Sequence, residues 1–127
     1  MILDTCALLW IAEGESENRL SAQVLNHINK SPVVYVSAIS GFEIGLKAKA
    51  GKLKLPVTPA EWFDAVLNFH HLQHIDLSHS ICLRATELPK IHKDPCDRFI
   101  IATALTLDMP VVTSDSRFKE YGVDVVF

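Results

Sequence analysis

The chain has 127 residues, 49% of them hydrophobic and 21% charged, a balance that points to one ordinary globular domain with a substantial core. Its formal net charge of −3 excludes a protein that grips nucleic acid by bulk positive charge, so a phosphodiester ligand would need bound cations or a local basic patch. The longest apolar runs, such as Pro32-Val33-Val34-Tyr35-Val36, are too short to span a bilayer, and no basic leader precedes the first apolar residues, so no membrane association and a cytoplasmic location are expected.

In chain order, residues 1–4 read as a strand, and Asp4 is placed to cap a helix over 5–11. A polar break covers 13–17. Ser21 can cap a second helix running to about Asn29, and Ser31-Pro32 turns into a buried strand over 33–36. A helix over 38–50 follows, with Gly51 as its stop, and another over 60–70 after the Pro56 to Pro59 break. A short strand is expected at 75–77 and a helix from Ser78 or His79 to Leu88, ended by Pro89. Beyond a polar loop over 90–96, an apolar helix spans 97–108. A strand over 110–113, a turn and short helix over 115–121 and a last strand over 123–127 complete the chain. Strands alternating with helices from end to end make a parallel sheet covered on both faces.

Carboxylates recur at positions that folding alone does not favour. Asp4 and Asp115 each follow a strand, which in an open parallel sheet places both at its carboxyl edge. Either could simply cap a helix or a turn. Glu43 shares a helical face with Ile39, Leu46 and Ala50, and Asp97 precedes Ile100, Ile101 and Ala104 on the most apolar helix. An ionised carboxylate on an apolar face is costly without a compensating cation or donors, although Asp97 also gains from the helix dipole. Asp94, before Pro95, reads as a cap or an outer partner of such a site. Acids converging in one crevice suit a hard divalent cation, Mg²⁺ or Mn²⁺, which can activate water and orient a phosphodiester.

Lysines and an arginine flank these acids. Lys47, Lys49, Lys52 and Lys54 follow Glu43, while Lys90, His92, Lys93 and Arg98 surround Asp97; Lys47, Lys52, Lys93 and Arg98 are the candidates for holding a phosphodiester backbone, with a solvated surface as the plain alternative. His70 and His74 have the spacing of a zinc pair, but the helix is expected to end near His70. Three widely spaced cysteines, Cys6, Cys82 and Cys96, form neither a disulfide framework nor a zinc cage, and no histidine–acid pairing supports Cys96 as a nucleophile. Thr5, Ser37 and Ser114 add hydroxyls to the site or cap local backbone. A phosphotransferase using Asp4 as nucleophile would want a second aspartate two residues on, where Cys6 stands.

Four blocks then carry a family resemblance. They are Met1-Ile2-Leu3-Asp4-Thr5-Cys6-Ala7-Leu8-Leu9-Trp10; Val36-Ser37-Ala38-Ile39-Ser40-Gly41-Phe42-Glu43-Ile44 with Lys52-Leu53; His92-Lys93-Asp94-Pro95-Cys96-Asp97-Arg98-Phe99-Ile100-Ile101-Ala102; and Val112-Thr113-Ser114-Asp115. Together, in this order, the chain resembles PIN-domain ribonucleases of the VapC toxin family. The resemblance implies a single α/β domain over 1–127, a PIN-like doubly wound parallel sheet flanked by helices. It implies a Mg²⁺- or Mn²⁺-dependent endoribonuclease, the toxin of a type II toxin–antitoxin pair, leaving a 5′-phosphate and a 3′-hydroxyl. RNA substrate, a small cognate antitoxin and a homodimer are the partners it implies. Its acidic positions fall on Asp4, Glu43, Asp97 and Asp115, with Asp4 and Asp97 the firmest ligands, Asp115 more variable and Glu43 ligating directly or through water. Cys6 stands where many relatives of this subgroup carry histidine, Cys96 where an aromatic is usual, and Gly41 where a larger residue is typical; no carboxylate is lost. The alternative within the family is a PIN-type module that binds RNA or protein without cutting.

Overall fold

The structure, a computed structural model, describes residues 1–14 and 19–127, so most of the polar break expected at 13–17 lies outside the described residues. Among the described residues the elements run β1 (Ile2–Leu3), α1 (Thr5–Glu13), α2 (Ala22–Lys30), β2 (Val34–Ser37), α3 (Ala38–Lys49), α4 (Pro59–Phe69), β3 (Leu72–Ile75), α5 (His79–Glu87), α6 (Pro95–Leu107), β4 (Val111–Val112), a 3-10 helix (Ser116–Tyr121) and β5 (Val125–Val126). Each α-helix begins where the preceding residue's side chain accepts a bond from the first turn: Asp4, Ser21, Ser37, Thr58, Ser78 and Asp94. Short polar residues thus start the helices, and two of them, Asp4 and Ser37, do so at strand ends.

The five strands form one parallel sheet in the order β3-β2-β1-β4-β5. β1 is central, with Ile2 opposite both Tyr35 and Val111. Progression runs outward through β2 and β3, then returns to the other side of β1 for β4 and β5. The order therefore reverses between β1 and β4, and a crevice opens there at the carboxyl ends.

Because alternate strand residues face opposite ways, neighbours divide between two apolar layers. Leu3, Val36 and Val112 join Leu8, Val24, Trp62 and Val66 on one face; Ile2 and Val111 join Ile100, Ile101 and Phe118 on the other. Ile39 lies in the second layer and Ile44 in the first, so α3 bridges both. Among the described residues no helix is long and apolar enough to cross a membrane.

Two expectations shift. The strand placed at 75–77 runs instead over Leu72–Ile75, directly after His71 turns the chain at a positive φ of 54°. As an edge strand it exposes Gln73 and His74, which hides the apolar alternation. In α3 the buried face is Ile39, Ser40 and Ile44, while Leu46 is 51% exposed. Glu43 therefore sits beside the core face rather than on it.

Candidate metal centre

Asp4 directly follows the central strand, its N–H bonded to the carbonyl of Val112 at 3.1 Å. Its Oδ1 accepts the Ala7 N–H at 2.7 Å, and Thr113 also bonds its carboxylate. Burial pushes this carboxyl above its ordinary range; Thr113 and Ala7 pull it back, and nearby Glu43 and Asp115 push it up again. Thr113 ties two corners together, because its Oγ1 also accepts the Asp115 N–H at 3.1 Å. Of the hydroxyls weighed either as site groups or as backbone caps, Ser37 caps α3, Thr5 bonds Ser40 at 2.9 Å and Ser114 is exposed. Thr113 carries the role.

Asp97 lies in the first turn of α6, behind the capping Asp94 and Pro95. Its carboxyl is pushed up to about 7, first by burial and then by Asp94, Asp4 and Glu43, against the opposing pull of His92. These mutual perturbations bring Asp4, Glu43, Asp97 and Asp115 into one electrostatic neighbourhood. By distance, Asp97 and Asp115 meet at the His92 ring.

Glu43 reaches it from α3. Lys47 one turn on stands 3.6 Å from Oε2, while Oε1 is buried and, among the described residues, has no hydrogen-bond partner. Ligand atoms of Glu43, Asp94 and Cys96 lie within 4.8 Å of one another. The Cys96 thiol is pushed up to about 11, by burial first and then by the acids around it, and Cys6 is raised for the same reasons. Thiols so held stay protonated and are weak nucleophiles.

Asp115 is compensated. Its carboxylate accepts the Arg117 N–H at 2.9 Å, Nε at 2.9 Å, Nη2 at 2.8 Å and His92 Nε2 at 2.8 Å. The Arg117 bonds come first among the causes that hold its carboxyl at about 2. His92 Nε2 also stands 3.0 Å from Asp97 Oδ2, so one ring nitrogen joins two of the acids. The sequence set His92 among the basic residues around Asp97, and it does lie beside Asp97, but 3% exposed rather than on a solvated loop; Arg117 was not singled out. An Asp-x-Arg step into a tight turn was the available signal for Arg117; for His92, on an irregular loop, there was none.

Among the candidate RNA contacts, Lys47 is partly exposed beside Glu43, and Lys52 and Lys93 are exposed. Arg98 faces inward: Nη1 and Nη2 donate to the carbonyls of Pro89, His92, Ala85 and Leu88 and to Tyr121 Oη, at 2.8 to 3.4 Å. Its bonds clamp the loop before α6. The histidines of the zinc expectation go separate ways, His70 capping α4 and His74 pairing with Asp76 at 3.3 Å. A cavity of about 500 Å³ at the opposite, amino edge of the sheet involves Trp10, Leu25, Ile28 and His71, and its described lining carries no carboxylate.

The donor set fits a hard divalent cation. It is rich in carboxylate oxygen, one buried oxygen lacks a partner, and two carboxyls are raised by mutual repulsion and burial, a cost that a cation would relieve.

The PIN domain family model matches residues 1–124. A curated relative, ribonuclease VapC22 of Mycobacterium tuberculosis, is 28% identical over 123 residues, covering 95% of this chain and 91% of its own. Among solved structures, VapBC2 from Rickettsia felis bound to a DNA fragment from their promoter aligns with a TM-score of 0.72 at 19% identity, covering 98% of this chain and 96% of that one. A toxin–antitoxin complex from Klebsiella pneumoniae aligns with a TM-score of 0.67 at 20% identity, over 99% and 95%.

Proposed function

The chain belongs to the PIN-domain family, and from that premise we propose that it is a Mg²⁺- or Mn²⁺-dependent endoribonuclease, the toxin of a type II toxin–antitoxin pair. One observation carries this reading: Asp4 and Asp115 stand just after β1 and β4 at the carboxyl edge of the sheet, the His92 ring joins Asp115 to Asp97, and burial together with the charge of Glu43 pushes up the Asp4 and Asp97 carboxyls. The name of the curated relative, a ribonuclease, supports RNA as substrate, and the solved toxin–antitoxin assemblies support a protein antitoxin. Homodimer formation is part of the same proposal.

Asp4, Asp97 and Glu43 would hold the cation, with Asp115 as an orienting corner. A bound divalent cation supplies Lewis acidity toward a phosphodiester and lowers the pKa of water. The chain's own groups do the rest. Thr113 aims the Asp4 carboxylate, Lys47 offsets charge at Glu43, and the exposed Lys52 and Lys93 offer phosphate contacts along the approaches. Burial of Asp4 keeps it from swinging into solvent.

The test is incubation of the purified protein with structured RNA and Mn²⁺, with and without a chelator, followed by mapping of the product ends. Cleavage that stops with chelator and leaves 5′-phosphates is expected. RNA binding without cleavage in saturating Mn²⁺ would point instead to a non-cutting binding module.

A further inference from the structure

His92 touches two carboxylates of the acidic centre at once, and everything around the ring fixes how it does so. The Asp94 N–H donates to His92 Nδ1 at 3.1 Å, so Nδ1 carries the lone pair and a neutral ring bears its proton on Nε2. That N–H bonds Asp115 Oδ2 at 2.8 Å, and Asp97 Oδ2 lies 3.0 Å from the same nitrogen. The ring is buried and meets Phe118 edge-on, with centroids 6.1 Å apart. Its own backbone N–H donates to Tyr121 Oη at 2.7 Å, and Arg98 bonds its carbonyl at 3.3 Å. Turning the ring would break the Asp94 bond and leave buried polar groups unpaired.

We propose that His92 is a positioning residue of the metal centre: its Nε2–H, bonded to Asp115 and 3.0 Å from Asp97, holds the two acids together, so that the carboxylates are assembled before a cation arrives. This rests on the metal-dependent reading above. With its proton on Nε2 and its lone pair already used, the ring is not itself a ligand in this arrangement. Its action is on the acids. Two neighbouring carboxylates repel, and a single donor between them is the cheapest way to hold both in place without a cation. Asp115 is braced on its far side by Arg117, so Asp97, which lacks such a brace, gains most from the bridge.

The test is Mn²⁺ binding by calorimetry to wild type, Asp97→Asn, His92→Leu and His92→Gln. Leucine keeps much of the volume but no donor; glutamine can return an N–H near the Nε2 position. His92→Leu is expected to bind Mn²⁺ about 10–100-fold more weakly, the usual effect of losing a group that orients ligands, and His92→Gln to recover most of that loss. Equal or tighter binding by His92→Leu overturns the proposal while wild-type binding lost in Asp97→Asn leaves the metal reading standing. No Mn²⁺ binding by wild type overturns both. Imidazole ¹⁵N spectra of the wild type test the same point without a variant: the proton should stay on Nε2 before and after Mg²⁺, and a proton on Nδ1 overturns the proposal.

Discussion

Asp115 and Asp97 approach the same imidazole nitrogen, at 2.8 and 3.0 Å, yet are driven in opposite directions, one held at about 2 and the other pushed up to about 7. The β4 side of the crevice is compensated by the protein itself, because Arg117 donates from three nitrogens to Asp115. The side formed by α3 and α6 is not: Asp97 is crowded by Asp94, Asp4 and Glu43, and Glu43 Oε1 is buried without a partner. A crevice with one neutralised wall and one uncompensated wall is asymmetric, and a cation belongs at the uncompensated one.

Breaking the uncompensated side should therefore cost more than breaking the other. Glu43→Gln is expected to reduce Mn²⁺-dependent RNA cleavage beyond the roughly 10–100-fold loss typical of an orienting group, whereas Asp115→Asn should stay within that range. Single-turnover cleavage assays on both variants check the order. Equal losses would mean that Asp115 ligates as directly as Glu43 does.

The opposed shifts also give opposed pH dependences in the metal-free protein. For Asp97 the folded state holds its proton more tightly than the unfolded chain, so this group's contribution is full below its ordinary value of 3.8 and declines as pH rises to about 7. Asp115 works the other way, stabilising above 3.8 and losing that contribution as pH falls towards 2. Thermal melts across pH 3 to 8 should show a decline from about 4 to 7 that Asp97→Asn removes and saturating Mg²⁺ flattens. A decline that survives in Asp97→Asn would assign it to another group.

The smallest effect is expected from Arg117→Gln. Arg117 is half-exposed, so the fold should be untouched, while the Asp115 titration midpoint rises from about 2 towards the ordinary carboxylate range. Carbon-detected NMR of the side-chain carboxyl follows this, and an unmoved midpoint would mean that His92 and the turn backbone suffice.

The same asymmetry separates what the sequence revealed from what it hid. Asp4, Asp97 and Asp115 were legible because strand ends and helix starts are local features, and a parallel sheet sends its strand ends to one edge. The Glu43–Lys47 pair follows from helical spacing. Glu43 itself was picked out by an argument that needed revision, since Leu46 on its face is exposed. His92 was set near Asp97, but its burial was hidden because it sits on an irregular loop whose path is set by bonds from Arg98 and Tyr121. Thr113 was passed over as part of a strand, although its hydroxyl links Asp4 to Asp115. Periodicity reports regular elements; it is silent on groups fixed by long-range bonds.

The most direct test of the central claim is Asp4→Asn. Asparagine caps helices about as well as aspartate, so the bond to the Ala7 N–H and the start of α1 should survive. Removing a buried charge that is raised by its surroundings should leave the metal-free melting temperature unchanged or higher. A folded Asp4→Asn protein with no detectable Mn²⁺-dependent RNA cleavage is the predicted result, and full cleavage by that protein would contradict the account.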